Sequence, residues 1–489
     1  MNRTTVFFAM AGALGLVAVV AGLRVQAPIS PGTPGPGIIT AAARPFIDPT
    51  VATAPSGSLT MAGKLSHPYV AYVVPGTSDV FATLEVHALD VPGAKRSPVN
   101  LAVVLDRSGS MAGEKLLQAK RAATHLVDLL DENDRLAIVH YGNDTTHFSG
   151  VFCTAGNRDS MKRFIAGIEE QGGTNIGEGL IAGQHELATA RSDFRVNRLL
   201  LLSDGQPTVG EVSPAALARI VSSIRSSGIS VTSMGVGAGF NEDLMQRLAD
   251  IGGGSYGFIS NAEAMTALFE KDLKQASTLV AQSAVVRFTL PKGIELGEVY
   301  GRDSVTANGV VQVSLPDFAA GQSEKLVVRL RASAGVAAMN TAIDVASFEL
   351  QYRDLLTERN ATSNVKLSAM MTPDAHLAAA RRDKDAVLNA TRAQASVNYK
   401  RAALSMNQGD FAAANDAIRA NGALYQQAEE VAGPGSPALK AERKQNDTFF
   451  GLTSSASSAP VTEQRLRMKS LKTQSLKGSG RSANSVYGE

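Results

Sequence analysis

The sequence predicts an α/β protein. A doubly wound, mostly parallel sheet is inserted between antiparallel, sandwich-like β segments and is followed by a small helical module. Three observations carry that reading. Short, β-branched apolar runs alternate with segments of helical period over residues 99–278. Period-two alternation flanks that stretch on both sides, in 61–98 and 279–372. From Pro373 the chain turns Ala-rich with helical spacing. Its 489 residues, 44% of them apolar, suffice for about three domains at ~150 residues each.

At the amino terminus, VFFAMAGALGLVAVVAGL (Val6–Leu23) is apolar and uncharged behind Arg3. It is longer than a signal-peptide core of about 7–15 residues and just reaches the ~18–20 needed to span a bilayer. Residues 1–27 therefore read as a signal peptide or an N-terminal membrane anchor. The protein is expected to be exported, facing the periplasm or the exterior, with the anchor in an inner membrane if it is retained. No cysteine lies in this segment, so a lipoprotein anchor is excluded. Residues 28–60 are too rich in Pro and Gly to form a core and read as a linker. YVAYVV (Tyr69–Val74) and DVFATLEVHAL (Asp79–Leu89) are strand-like, lack partners of their own and are expected to pair with the later β domain.

Between 99 and 278 the elements follow in order. LAVVL (Leu101–Leu105) has no polar face, as suits a strand buried on both sides of a parallel sheet. A helix follows over Gly113–Leu130. DRLAIVHYG (134–142) is a strand, MKRFIAGI (161–168) a short helix, NIGEGLIAGQHELATA (175–190) a helix and NRLLLLSDG (197–205) a strand. SPAALARIVSSIRSSG (213–228) opens with a Ser N-cap and Pro and stops at Gly. The strand ISVTSMGVG, a helix ending in GGG, the strand SYGFI and a closing helix complete the series. Repeated βα units of this length wind right-handed into a parallel sheet.

Two of these strands end in Asp, namely Asp106 and Asp204. Ser108 and Ser110 follow the first, and Thr174 lies in a glycine-rich turn just before a helix. All five fall on loops at the carboxyl edge of the sheet, where open α/β sheets bind ligands. Hydroxyls and carboxylates without His or Cys suit a hard divalent ion: Mg²⁺, Mn²⁺ or Ca²⁺.

DRSGS (106–110), GGTN (172–175) and SDG (203–205), in this order and on these elements, resemble the von Willebrand factor type A domain with its metal-ion-dependent adhesion site. The likeness covers 99–278, and all five motif positions match. The resemblance implies a Rossmann-like fold. It implies that Ser108, Ser110 and Thr174 coordinate the ion directly, while Asp106 and Asp204 act mainly through water. Mg²⁺ is the first expectation. The implied partner is a protein that presents an acidic residue, whose carboxylate completes the metal shell.

Other chemistries find no support. A net charge of +2 gives no reason to expect a nucleic-acid partner. Cys153 is the single cysteine, so an internal disulfide is impossible and a buried, hydrophobe-like thiol is expected. GGSYG (253–257) matches G-x-S-x-G, but a helix precedes it and a strand follows, the reverse of a nucleophile elbow. No phosphate loop or zinc-protease spacing occurs. The chain therefore reads as a binding protein without a catalytic site. An envelope-assembly or chaperone-like scaffold is the alternative; a hydrolase lacks a base and a nucleophile.

In the helical module, 373–450, RAALSMNQGDFAAANDAI resembles one tetratricopeptide-type hairpin with Gly409 at its turn. Residues 451–489 are poorly apolar and mostly basic, and read as a disordered tail.

Overall fold

The computed structural model describes residues 57–71, 77–91, 96–204, 206–237, 239–259, 262–333, 340–482 and 486–487. The apolar amino-terminal segment and the linker up to residue 56 lie outside the described residues. The first strands are β1 (Leu59–Leu65), β2 (Tyr69–Ala71) and β3 (Thr77–Ala88). In β1 buried and half-buried residues alternate, as the period of a strand with one face on a core requires.

The α/β part begins with β4 (Val99–Asp106), every residue of which is buried. It continues through α1 (Glu114–Leu129), β5 (Arg135–Tyr141), β6 (Thr145–Phe152), α2 (Ala155–Ala166) and α3 (Ile176–Ala188). Then come β7 (Val196–Ser203), α4 (Pro214–Ser226), β8 (Ser230–Val236), α5 (Glu242–Gly252), β9 (Gly253–Ile259) and α6 (Ala262–Ser277). Local signals set the helix ends. Ser213 accepts a hydrogen bond from the Ala216 amide with Pro214 behind it, and Asn241 accepts from Leu244. Gly253, at φ 72°, closes α5 in the left-handed conformation. Strands β9, β8, β7, β4 and β5 run parallel, and β6 adds antiparallel to β5 at the edge. Apolar clusters cover both faces: Val103, Leu126 and Phe269 belong to one, Val104, Leu180 and Leu244 to the other. Cys153 is wholly buried, and burial pushes its thiol up to about 12.

The chain then forms β10 (Leu279–Thr289), β11 (Ile294–Val299), β12 (Ser304–Ala307), β13 (Val310–Ser314), β14 (Phe318–Ala319), β15 (Ser323–Ser333), β16 (Ala342–Asp354) and β17 (Arg359–Thr372). One sheet has the order β1-β3-β15-β11. The other has β12-β13-β10-β16-β17-β2, with β14 paired to β10. Strand β3 lies antiparallel to β15 from Thr77↔Ser333 to His87↔Ser323, and β2 runs parallel to β17. Leu84, Val286, Leu330 and Leu367 belong to the core between the sheets, as do Phe288 and Phe348, whose rings lie 4.9 Å apart.

Helices α7 (Ala375–Ala380), α8 (Lys384–Asn407), α9 (Phe411–Ala432), α10 (Pro437–Ser454) and α11 (Val461–Gly478) follow. Gly409, at φ 78°, makes the turn between α8 and α9, which pack through Ala402, Ala403, Ala414 and Ala417. The disordered tail expected from residue 451 is a correction. Residues 461–478 are helical, and a last strand, β18 (Val486–Tyr487), adds parallel to β9 at the edge of the α/β sheet. Helix α11 buries Leu471 in the core of the helical module and Leu476 against the type A domain, and it is held by ionic and aromatic contacts as well. The Lys469 ammonium lies 3.4 Å from the Phe240 ring centroid and 4.5 Å from that of Phe258, and Lys472 pairs with Glu242 and Asp243. Among the described residues no helix is long and apolar enough to cross a membrane.

Candidate metal centre

The apolar run of β4 carries Asp106 to the end of a buried strand, where its carboxylate is out of contact with solvent. One oxygen accepts the Ser108 amide at 2.8 Å and closes an Asx turn. The other accepts the Ser203 hydroxyl at 2.6 Å. That turn places Ser108 and Ser110 side by side, with their Oγ atoms 3.0 Å apart. The Ser110 hydroxyl donates to Asp204 Oδ1 at 2.7 Å, so the loops after β4 and β7 meet.

Thr174 comes just before α3, which Asn175 caps by accepting the Glu178 amide. Its own amide donates to Thr208 Oγ1 at 2.9 Å, and its carbonyl accepts from the Thr208 amide at 3.0 Å. The Gly109 amide donates to the Gly172 carbonyl at 3.0 Å, and the Gln171 amide to the Arg107 carbonyl at 2.7 Å. Glycine is required here. A Cβ at Gly173 would lie 2.5 Å from Val209 Cγ2, and Gly172 stands at φ 73°. All five sequence-selected residues thus sit on three loops bound to one another at one edge of the sheet.

Two further side chains belong to the arrangement and were not singled out in the sequence. Ser203 holds Asp106, as above. Lys115, in the first turn of α1, places its ammonium on Asp204 Oδ2 and donates to the Ser110 carbonyl at 3.0 Å. Burial raises the Asp106 pKa. The hydrogen bonds from Ser108 and Ser203 offset part of that rise, and the Asp204 charge adds to it. Two carboxylates removed from water therefore face one internal cation, which leaves negative charge uncompensated.

Among the described residues no group of three or more His, Cys, Asp or Glu side chains is placed to hold a metal ion. The donors here are of another kind, two carboxylates with hydroxyls. A cluster that already draws an ammonium onto its carboxylate has the chemistry of a hard-cation site.

A profile of the von Willebrand factor type A domain matches residues 100–271. Those residues form a von Willebrand factor type A domain. Human inter-alpha-trypsin inhibitor heavy chain H4 is 31% identical over 35% of this chain and 19% of its own length. YfbK of Escherichia coli K12 is 28% identical over 41% of this chain and 35% of its own length. The Synechocystis protein sll0103 is 31% identical over 38% of this chain and 43% of its own. The chain thus spans less than half the length of these relatives. Among solved structures, a von Willebrand factor type A protein from Catenulispora acidiphila superposes at a TM-score of 0.62 and 17% identity. It covers 86% of this chain and 98% of its own. The ArnB paralog VWA2 from Sulfolobus acidocaldarius gives 0.53 at 17% identity, over 87% of this chain and all of its own. The shared fold therefore reaches well beyond the type A domain.

Within that domain, Ser255 does not stand on a nucleophile elbow. Gly253 ends helix α5 and starts strand β9, so the serine follows a helix and lies on a strand, with Oγ donating to Gln275 at 3.4 Å.

Proposed function

We propose that the protein is an exported module that binds a protein partner through a divalent metal ion. One arrangement supports this above all. Asp106 and Asp204, both out of solvent, converge with Ser108 and Ser110 on loops tied to that of Thr174, and a single ammonium answers their charge. The hydroxyls of Ser108, Ser110 and Thr174 would hold the ion directly, and Asp106 and Asp204 would act through water. Mg²⁺ fits first, then Mn²⁺ and Ca²⁺. When bound, the ion supplies positive charge and an open position for a carboxylate of an acidic partner. Asp106 keeps the Ser108 turn closed, and the Gly109–Gly172 bond ties the Thr174 loop to that turn. The apolar segment Val6–Leu23 supports export.

The test is direct. Ion at ten times its dissociation constant adds ~1.4 kcal/mol to stability by mass action. Melting of the wild type in Mg²⁺, Mn²⁺ or Ca²⁺ should therefore exceed that in EDTA by a few degrees, and Asp106→Ala should erase the difference. Capture of partners from an envelope extract should disappear in EDTA. The absence of any shift with all three ions, with none bound by calorimetry, would overturn the proposal.

A further inference from the structure

The row of side chains beneath the metal loops continues one strand beyond the donors. Strands β7, β4 and β5 are parallel neighbours, with Leu105 opposite Leu202 and Asp106 opposite Tyr141. Ser203, Asp106 and Tyr141 are each the last residue of their strand. They therefore stand side by side on one face at the carboxyl edge, above Val104, Val139 and Leu201.

Helix α3 begins just after Thr174 and lies on this face. A Cβ on Gly179 would stand 2.6 Å from Tyr141 Cδ1 and 3.1 Å from Val104 Cγ1. Glycine inside a helix costs about 1 kcal/mol against alanine. Here it lets the helix sit directly on the tyrosine ring. One face of Tyr141 thus supports the helix that follows Thr174, and its hydroxyl end reaches Asp106.

That hydroxyl is out of balance with its surroundings. Tyr141 is wholly buried, and its Oη comes up to Asp106 and Ser203 with no hydrogen-bond partner among the described residues. The Ser203 hydroxyl donates to Asp106 Oδ2 at 2.6 Å. Burial, and after it the Asp106 charge, push the phenol well above its ordinary range, so it keeps its proton and remains a donor. An unmet buried donor costs about 1–3 kcal/mol. Phenylalanine would fill the same space without that cost.

We infer that Tyr141 is a positioning residue of the metal centre, its hydroxyl serving the water shell through which Asp106 acts on the ion. The inference rests on the metal-binding reading above. Each oxygen of Asp106 accepts one bond and has room for another. A hard ion such as Mg²⁺ keeps several of its waters, and the groups that orient such outer contacts alter metal affinity about 10–100-fold. Tyr256 is the contrast. It is also buried with an unpartnered hydroxyl, but it lies two strands beyond β7, beside Glu242 and Phe240.

The test uses the full chain, with Mg²⁺ binding measured by calorimetry and melting followed separately in EDTA. Tyr141→Phe should raise the Mg²⁺ dissociation constant about tenfold or more. In EDTA it should melt at the wild-type temperature or above it, because the ring remains and an unmet donor is gone. A merely structural hydroxyl would instead lower the melting temperature and leave affinity alone. Tyr256→Phe should bind Mg²⁺ as the wild type does. Equal affinity in wild type and Tyr141→Phe would overturn the inference while leaving the metal reading intact. So would an equal loss in Tyr256→Phe, or a Tyr141→Phe melt in EDTA several degrees below wild type. A wild type that binds no ion would instead fail the metal reading itself, and this inference with it.

Discussion

Lys115 sits where helix electrostatics disfavours it. A cation in the first turn meets the positive end of the helix dipole, yet Lys115 follows Glu114 at the start of α1. Asp204 accounts for the placement, because the ammonium is held by that carboxylate and by the Ser110 carbonyl. A basic residue at a helix start is thus a signal the sequence carries, and its cause becomes visible only when the Asp204 loop is brought beside it. Ser203 was similarly readable as a polar residue closing the run LLLL, but its bond to Asp106 depends on the pairing of β4 with β7. The five motif residues were legible because each stands at an end of its element. Lys115 also bears on metal binding. Two unit positive charges at ~4 Å repel by about 1 kcal/mol even in bulk water. On the metal-site proposal, the ammonium must therefore leave Asp204 when a dication arrives. Lys115→Met removes that competition and keeps the aliphatic stem. It should tighten Mg²⁺ or Mn²⁺ binding about tenfold by calorimetry, equivalent to ~1.4 kcal/mol. Weaker binding would mean that Lys115 supports the site.

At the scale of elements, periodicity found those that bury an apolar face and missed those held in other ways. Strand β6 went unread because TTHFSGVF has no buried stripe. It lies antiparallel at the sheet edge with its residues half-buried or exposed. Helix α11 went unread because low hydropathy suggested disorder, whereas its few leucines, Leu471 and Leu476, are buried and are joined by Lys469 on two phenylalanine rings and Lys472 on two carboxylates. Composition counts such residues as solvated, and only the partner surface shows otherwise. The segment after α11 is held by Arg481, whose buried guanidinium bonds both oxygens of Asp250 and the Gly301 carbonyl. Breaking a buried pair from one side costs about 3–5 kcal/mol. The Asp250 side chain keeps 24% of its exposure, which lowers that figure. Arg481→Ala should thus cost about 2 kcal/mol in urea unfolding and speed amide exchange in β18. The exposed pair Arg419–Asp416 is the contrast. Arg419→Ala should stay within ~0.5 kcal/mol of wild type. Equal effects of the two substitutions would show that the contact of Arg481 with Asp250 contributes little.

Over the whole molecule, the chain leaves the β-sandwich after β3, forms the type A domain and returns at β10. The two crossings meet, since the Ser97 amide donates to the Ser277 carbonyl at 3.0 Å. An insertion whose ends lie together can be lengthened, shortened or removed without moving its host. The consequences for the two parts differ. The type A domain contributes six strands of its own sheet, β4 to β9, with helices on both faces, so residues 99–278 should fold alone. The host is split by the insertion. Strand β3 lies between β1 and β15 and pairs with β15 over eleven successive residues. Leu59, Met61, Leu84 and Val86, all from the early strands, belong to its core. Residues 279–372 by themselves would present β15 as a long open edge beside a half-filled core, a template for aggregation. They should be insoluble or unfolded, and supplying residues 57–98 should restore a cooperative melt followed by circular dichroism. A soluble, cooperatively melting 279–372 fragment would show instead that the later strands form a complete domain on which β1 and β3 are accessories.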